Sequence, residues 1–299
     1  MKFSNSFHPY ASVTILFWSL AYVLTRLSLE YFSPFSLGFL RYFTASCVLL
    51  TIAITAKIKI PKRADMKWFF AAGFFGFFLY MIAFNKGCET VTAATSSVII
   101  ATVPVITALL ARIFYKEKLS SFQWAASLIE FSGVVVMTQM NHNFSLNHGI
   151  LWLLLAAISL GIYNILQRKL TKAYSGLQVS AFSIFAGAVM LAVFLPASVQ
   201  EVSTAPPIQL LYIVILGAFS SAMAYVAWAL AFKKAKQASL VSNYMFITPL
   251  LTSLLGFVFT GEQPDLPTIV GGLVILTGMI IFNFGAKLHK LLLHSTKMV

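Results

Sequence analysis

Residues 92–118 read TAATSSVIIATVPVITALLARIFYKEK: small residues open the stretch, an apolar run containing Pro104 follows, and a basic cluster closes it. Residues 237–263, QASLVSNYMFITPLLTSLLGFVFTGEQ, share this plan and align without a gap, with Pro249 placed 145 residues after Pro104. The same offset relates further pairs: Glu117 and Glu262, Tyr80 and Tyr225, Ala93 and Ala238, Gly133 and Gly278. Composition alone rarely produces such a register, so we interpret the chain as an internal repeat.

The composition is that of a membrane protein. Of 299 residues, 59% are hydrophobic and 10% charged, and the mean hydropathy is +0.87; soluble domains have about 25% charged residues. About 20 apolar residues cross a bilayer core, and continuous runs of this length favour helices over a β-barrel. We therefore predict an all-α membrane protein with ten transmembrane helices, near residues 10–29, 34–56, 67–85, 92–114, 121–140, 149–167, 178–196, 208–231, 238–260 and 266–286.

Lysine and arginine set the predicted topology. With both the N- and the C-terminus in the cytoplasm, 18 of the 21 Lys and Arg residues fall on the cytoplasmic side, as the positive-inside rule requires. The predicted units are a first five-helix repeat at 1–140, a second at 145–286, and a basic cytoplasmic tail at 287–299. Because five is odd, the two repeats cross the membrane with opposite polarity, and such inverted repeats bind substrate where the halves meet.

Several residues give the chain a family resemblance. Trp18-Ser19 in the first span and Arg41 in the second accompany the small-residue start, proline and terminal glutamate of the fourth and ninth spans. In these features the chain resembles the EamA branch of the drug/metabolite transporter (DMT) superfamily over nearly its whole length. The resemblance implies a secondary transporter with the fifth and tenth spans beside a central cavity, and it favours export.

Enzyme functions find no support in the sequence. A phosphate loop of the G-x-x-x-x-G-K-[ST] type is absent, as are a metal-ligand cluster and a nucleophile with a neighbouring base. We expect no catalytic residue, metal or cofactor. The net charge of +13 does not indicate nucleic acid, because the basic residues lie between apolar runs.

Polar and aromatic side chains recur at helical spacing inside the spans. We predict substrate binding by Trp18, Tyr22, Arg41, Tyr80, Tyr163, Asn164, Tyr225, Trp228, Asn243 and Tyr244. Such a cavity suits a small amphipathic or cationic solute. The aromatic rings could equally pack against lipid or other helices, and the asparagines could bond neighbouring helices. Arg41 either attracts a substrate carboxylate or a neighbouring carboxyl group, or it is a structural arginine that snorkels outward or bonds to the backbone.

Three further residues have two interpretations each. Glu130, in the middle of the fifth span, is the candidate for proton coupling, with helix or subunit packing as the alternative. Pro104 and Pro249 are candidate gating hinges, and static kinks are the alternative.

The resulting hypothesis is a secondary transporter in the inner or plasma membrane that moves a small metabolite of the amino-acid or amine class by alternating access. One alternative is an exporter of hydrophobic drugs or organic cations; the other is a scaffold or sensor that transports nothing. The expected partners are a small-molecule substrate and the lipid bilayer, without nucleic acid, and a homodimer is left open.

Overall fold

The computed structural model describes residues 6–90, 93–139, 148–260 and 266–295, and all regular structure in these ranges is helical. The first half contains α1 (His8–Ser28), α2 (Pro34–Thr55), α3 (Arg63–Thr90), α4 (Ala93–Ile100), α5 (Val103–Tyr115) and α6 (Ser121–Gln139). The second contains α7 (His148–Leu170), α8 (Gly176–Thr204), α9 (Pro207–Lys234), α10 (Ala238–Phe259) and α11 (Leu266–Ser295).

Seven of the described helices are long and apolar enough to cross a membrane: α1, α2, α3, α7, α8, α9 and α10. Two shorter apolar helices are α5 and the segment Ile269–Phe282 of α11. The prediction of an all-helical membrane protein is confirmed.

The distribution of side chains is that of a protein in lipid. Large apolar side chains point outward, and Ile54, Ile113 and Val189 are 67%, 70% and 71% exposed. Many hydroxyl-bearing side chains are buried instead, among them Ser180 and Ser220. This pattern fits a hydrocarbon surrounding, in which polar groups must find partners inside the protein.

The two halves interlock. Helix α1 packs against α9 and α10, α2 against α8 and α9, and α3 against α7 and α8. Small residues allow the close approach: a Cβ atom on Gly73 of α3 would lie 2.7 Å from Ala186 Cβ and 2.9 Å from Gly187 N of α8. Each half therefore lacks most of its contacts without the other.

Two helices depart from α-geometry at related positions. Helix α3 has a π-helical stretch at Phe74–Leu79, and α9 has one at Leu216–Met223. The offset of 145 residues makes these stretches overlap; the first ends at the residue before Tyr80, and the second ends two residues before Tyr225. Stretches of this type are frequent at functional sites.

The predicted span 92–114 is interrupted, unlike the single helix that we expected. Helix α4 ends at Ile100 and α5 begins at Val103, because the ring of Pro104 would clash with the carbonyl of Ile100 in a continuous helix. In α10 the corresponding segment, Asn243–Ile247, is a 3-10 helix, and Pro249 follows it. Both prolines thus lie in the first turn after an irregularity, where their missing N–H removes little.

Helices α6 and α11 pair at the periphery and contact the 3-10 segment of α10. Glycines allow α6 and α11 to approach each other closely. A Cβ atom on Gly133 would lie 2.7 Å from the carbonyl oxygen of Gly271, and one on Gly278 would lie 2.5 Å from Glu130 Cγ. The two glycines that the repeat offset relates therefore both lie at the α6–α11 contact.

Candidate substrate cavity

A small cavity lies between the two halves. Its lining comes from α1, α2, α3, α4, α7, α9 and α10: Trp18, Ala21, Tyr22, Arg41, Tyr80, Phe84, Ile100, Leu160, Tyr225, Met245 and Thr248. The cavity has a volume of about 20 Å³, which is room for about one water molecule. A metabolite can bind here only after the surrounding helices separate.

Arg41 is the one charged residue in this lining, and its side chain is 4% exposed. Its Nε donates a hydrogen bond of 2.7 Å to Ser221 Oγ. Ser221 lies in the π-helical stretch of α9, so that irregularity places the hydroxyl beside the guanidinium. In the described ranges no carboxylate lies within ion-pair distance of Arg41, and the cavity therefore holds an uncompensated positive charge.

The lining is rich in aromatic rings. Trp18 of α1 packs against Tyr225 of α9, with ring centroids 5.0 Å apart, and Tyr22 meets Phe84 of α3 at 5.2 Å. Tyr80 stacks on Phe84 at 5.6 Å. The buried indole Nε1–H of Trp18 has no hydrogen-bond partner among the described residues. Together with Arg41 it offers donors to a ligand.

The structure brings Trp18, Tyr22, Arg41, Tyr80 and Tyr225 together at the cavity. It places three other candidates behind the wall: Trp228 Nε1 donates to Asn164 Oδ1 at 3.0 Å, and Asn164 Nδ2 donates to Thr107 Oγ1 at 3.1 Å. Tyr163 lies against the backbone of Gly76 and is fully buried. These side chains join α5, α7 and α9.

The remaining candidates lie elsewhere on α10. Asn243 Nδ2 donates to Glu130 Oε1 of α6 at 3.0 Å. The hydroxyl of Tyr244 bonds to His8 Nδ1 at the start of α1. Neither side chain lines the cavity.

Sequence reasoning did not select Ile100, Leu160, Met245 or Thr248, because apolar residues and a lone threonine do not stand out in an apolar span. A signal was present for two of them: the offset of 145 residues pairs Ile100 with Met245. Both lie where a helix is irregular, and both line the cavity.

One end of the bundle is held by a charged cluster around the α9–α10 junction. Arg168 Nη1 donates to the carbonyls of Phe232 and Ala235 at 2.9 and 2.6 Å, and Nη2 donates to the carbonyl of Lys236. Both carboxylate oxygens of Glu117 accept from the backbone N–H of Ala238 at 3.1 Å. A carboxylate at a helix N-terminus interacts favourably with the helix dipole. Glu117 therefore caps α10, and Arg168 fixes the end of α9.

The first half has a related contact. Arg26, in the last turn of α1, donates through Nη1 to the carbonyls of Cys88 and Glu89 at 2.8 and 3.0 Å, near the end of α3. Arg168 likewise lies in the last turn of α7 and binds the end of α9. Glu262, the repeat partner of Glu117, lies outside the described residues. The first helix of each half thus holds the end of the third.

The helices of the described residues and their apolar surface are those of a multi-pass membrane protein, and a central cavity with one buried arginine fits a transporter. The model of the EamA-like transporter family matches residues 7–139 and again residues 147–284. The chain belongs to the EamA-like transporter family, within the drug/metabolite transporter superfamily. It is a multi-pass protein of the cell membrane and not an enzyme.

Individual relatives agree with this assignment. An uncharacterized transporter of Bacillus subtilis, YdfC, is 32% identical over 94% of this chain and 91% of its own. A probable terminal-alkyne amino-acid exporter of Streptantibioticus cattleyicolor is 29% identical over 91% of each chain. An S-adenosylmethionine uptake transporter of Rickettsia prowazekii is 24% identical over 85% of this chain and 84% of its own.

A crystal structure of another protein has the same fold. It superposes with a TM-score of 0.76 at 19% identity and covers 96% of this chain and 99% of that one. At this identity the likeness concerns the fold alone.

Proposed function

We propose that the protein is a secondary transporter that exports a small metabolite carrying an amino-acid carboxylate. In this proposal ten spans form two inverted five-helix halves with both termini in the cytoplasm. Substrate crosses by alternating access along the contact between the halves. The observation that carries the proposal is the guanidinium of Arg41, which no carboxylate of the described residues pairs with, in a cavity walled by aromatic rings.

Arg41 supports a carboxylate-bearing substrate. A guanidinium presents five N–H donors in a planar fork that matches a carboxylate, and the described residues use one of them, Nε, on Ser221. The free indole N–H of Trp18 is a further donor at the same cavity. The aromatic faces of Tyr22, Tyr80 and Trp18 can contact the ammonium group and an apolar side chain.

The same charge argues against the organic-cation alternative, because a buried guanidinium repels a cationic ligand at short range. An uncharged hydrophobic drug would leave the donors of Arg41 and Trp18 without partners when it displaced water. The irregular helices around the cavity favour a wall that can move over the fixed scaffold of the other alternative.

The relatives' names support a transported small molecule and leave direction open, since one is named an exporter and another an uptake transporter. We retain export, which the family resemblance favours. The charged cluster at Arg168 and Glu117 lies at the end that the positive-inside rule assigns to the cytoplasm. In this proposal it closes the cytoplasmic end, and it must open for substrate to enter from the cell.

The test is a flux screen in proteoliposomes with labelled amino acids, amines and nucleosides. We expect flux of one or more neutral amino acids, and we expect Arg41→Gln to reduce it by about tenfold or more, because a charged hydrogen bond contributes about 1.5–3 kcal/mol. Arg112→Gln, at an exposed position on α5, is the matched control and should leave flux unchanged. Flux of amines alone, insensitive to Arg41→Gln, would refute the carboxylate assignment.

Alternating access has a separate test. Cysteines placed at Tyr80 and Tyr225 should change their reactivity toward a polar thiol reagent reciprocally when the transported amino acid is added. Fixed reactivity at both positions would indicate a scaffold.

A further inference from the structure

The carboxyl group of Glu130 lies in the interior of the protein, next to the α10 side of the α6–α11 pair. Its side chain is fully buried, and its Cγ lies close to Gly278 of α11. Its one described hydrogen bond comes from Asn243 Nδ2, at 3.0 Å from Oε1. The residue thus joins peripheral helix α6 to the first residue of the 3-10 segment of α10.

Two polar atoms of this pair have no partner among the described residues: Glu130 Oε2 and Asn243 Oδ1. An ionised carboxylate can only accept hydrogen bonds, and an amide oxygen also only accepts. Two buried acceptors without a hydrogen between them repel each other and stay unsatisfied. A proton on Oε2 changes this, because the resulting O–H can donate to Asn243 Oδ1. The carboxylic acid and the amide then form a pair with two hydrogen bonds.

The surroundings supply no countercharge for an ionised Glu130. Helix α11 carries no charged or titratable residue from Leu266 to Gly285, and α4 carries none. Glu130 is the one charged residue within α6, and the one titratable residue of α10 is Tyr244, which bonds to His8. A buried carboxyl without a cation nearby is stable in its neutral form.

The 3-10 segment links this pair to the cavity. Asn243 begins the segment, Met245 lies two residues further on, and Thr248 follows its end. Met245 and Thr248 line the cavity. A change in the position of Asn243 is therefore transmitted to the cavity wall through a single turn of irregular helix.

We propose that Glu130 and Asn243 form the proton-binding site that couples a proton gradient to transport. In the conformation described here Glu130 holds the proton. When the proton leaves to solvent, Glu130 can no longer donate to Asn243 Oδ1, and the repulsion between the carboxylate and this oxygen pushes Asn243 and the cavity wall away from α6. This inference rests on the proposed transport function and adds the identity of the coupling ion and of its binding residue.

Infrared spectroscopy tests the protonation itself, without any substrate. The purified full-length protein at neutral pH should show the carbonyl stretch of a protonated carboxylic acid. This band should be absent in Glu130→Gln and unchanged in Glu89→Gln, a control at an exposed carboxyl paired with Lys86. Asn243→Leu should shift the band to higher frequency, because it removes the hydrogen bond to Oε1. A spectrum without the band, or a band that survives Glu130→Gln, overturns the assignment.

Proteoliposomes test the coupling, with labelled neutral amino acids as the probe. Glu130→Gln can form the same pair as the protonated acid, so we expect it to fold and to exchange amino acids at equal pH on both sides. Accumulation driven by a pH gradient should fall by about tenfold or more, since an amide releases no proton. Unchanged gradient-driven accumulation in Glu130→Gln refutes the coupling. Loss of exchange and accumulation together assigns Glu130 a structural role and refutes it as well.

Failure of the transport proposal is distinguishable from failure of this one. If the wild type moves no probe at all, the amino-acid assignment fails, while the infrared band still decides whether Glu130 binds a proton. If the wild type exchanges amino acids but the band is missing, the transport function stands and the proton site is wrong.

Discussion

The carboxylate of Glu117 stabilises the closed state of one end of the helix bundle. In the structure it caps α10 through the N–H of Ala238, and its Oε1 lies 4.0 Å from Arg168 Nε. The two side chains are 10% and 16% exposed, so solvent screens them weakly. We predict that Glu117→Gln opens this end more often without unfolding the protein.

The free energy lost in Glu117→Gln follows from the interactions that the glutamine side chain keeps and those that it loses. A glutamine can still accept a hydrogen bond from Ala238, but it loses the charge at the helix N-terminus and the attraction to Arg168. A charge–dipole interaction contributes about 0.3–1 kcal/mol, and up to about 2 kcal/mol when partly buried. A loss of about 1–2 kcal/mol changes the ratio of closed to open molecules by about 5- to 30-fold.

The assay is the alkylation rate of a cysteine at Thr248, a conservative change at a cavity position. The background removes both native thiols, exposed Cys47 and buried Cys88. A membrane-impermeant maleimide is added from the side of Glu117, in vesicles of known orientation. The rate should rise by about 5- to 30-fold in Glu117→Gln, in line with the population shift.

Two controls make the result decisive. Glu89→Gln changes an exposed carboxyl that lies near the last residue of α3 and pairs with Lys86, and it should not alter the rate. Labelling from the opposite side should not rise either, because an alternating-access protein that opens at one end is closed at the other. An unchanged rate, or an equal rise from both sides, would show that Glu117 does not hold this end closed.

Two further changes probe the structure behind the cavity. Gly76→Ala would place a Cβ atom 2.3 Å from the ring of Tyr163, so we expect a loss of about 1–3 kcal/mol in stability; thermal unfolding in detergent measures it, and an unchanged midpoint would contradict the contact. Asn164→Leu leaves the indole N–H of Trp228 without its acceptor and should cost about 1 kcal/mol, a typical value for interhelical hydrogen bonds in membranes. Trp228→Phe removes that donor, and the double variant should lose less than the sum of the two single ones.

Much of the architecture is visible in the sequence because lipid imposes simple rules. Long apolar runs predict helices, and the shared register of Pro104 and Pro249 predicts a repeat. The register also selects Tyr80 and Tyr225, which the structure places at one cavity. Their part in binding stays a prediction.

The local geometry is harder to predict. Asn164 fits a cavity wall and an interhelical hydrogen bond equally well in sequence, and the choice depends on whether Trp228 and Thr107 come within reach. Arg41 meets Ser221 because α9 is π-helical there, and helical periodicity assumes a regular turn. The partner of Glu130 is an asparagine 113 residues away, a contact that depends on tertiary structure.

The π-helical stretches of α3 and α9 each accommodate one residue more than an α-helix would in the same place. Each residue of an α-helix turns the chain by about 100°. If a π-helical stretch became α-helical and kept all its residues, the side chains after the stretch would rotate by about 100° relative to those before it. Tyr80 directly follows the first stretch, and Tyr225 lies two residues after the end of the second. A substitution that converts Phe74–Leu79 to regular α-geometry would consequently leave a sound helix whose tyrosine faces the wrong neighbour, whereas deleting one residue there would leave Tyr80 facing as it does now.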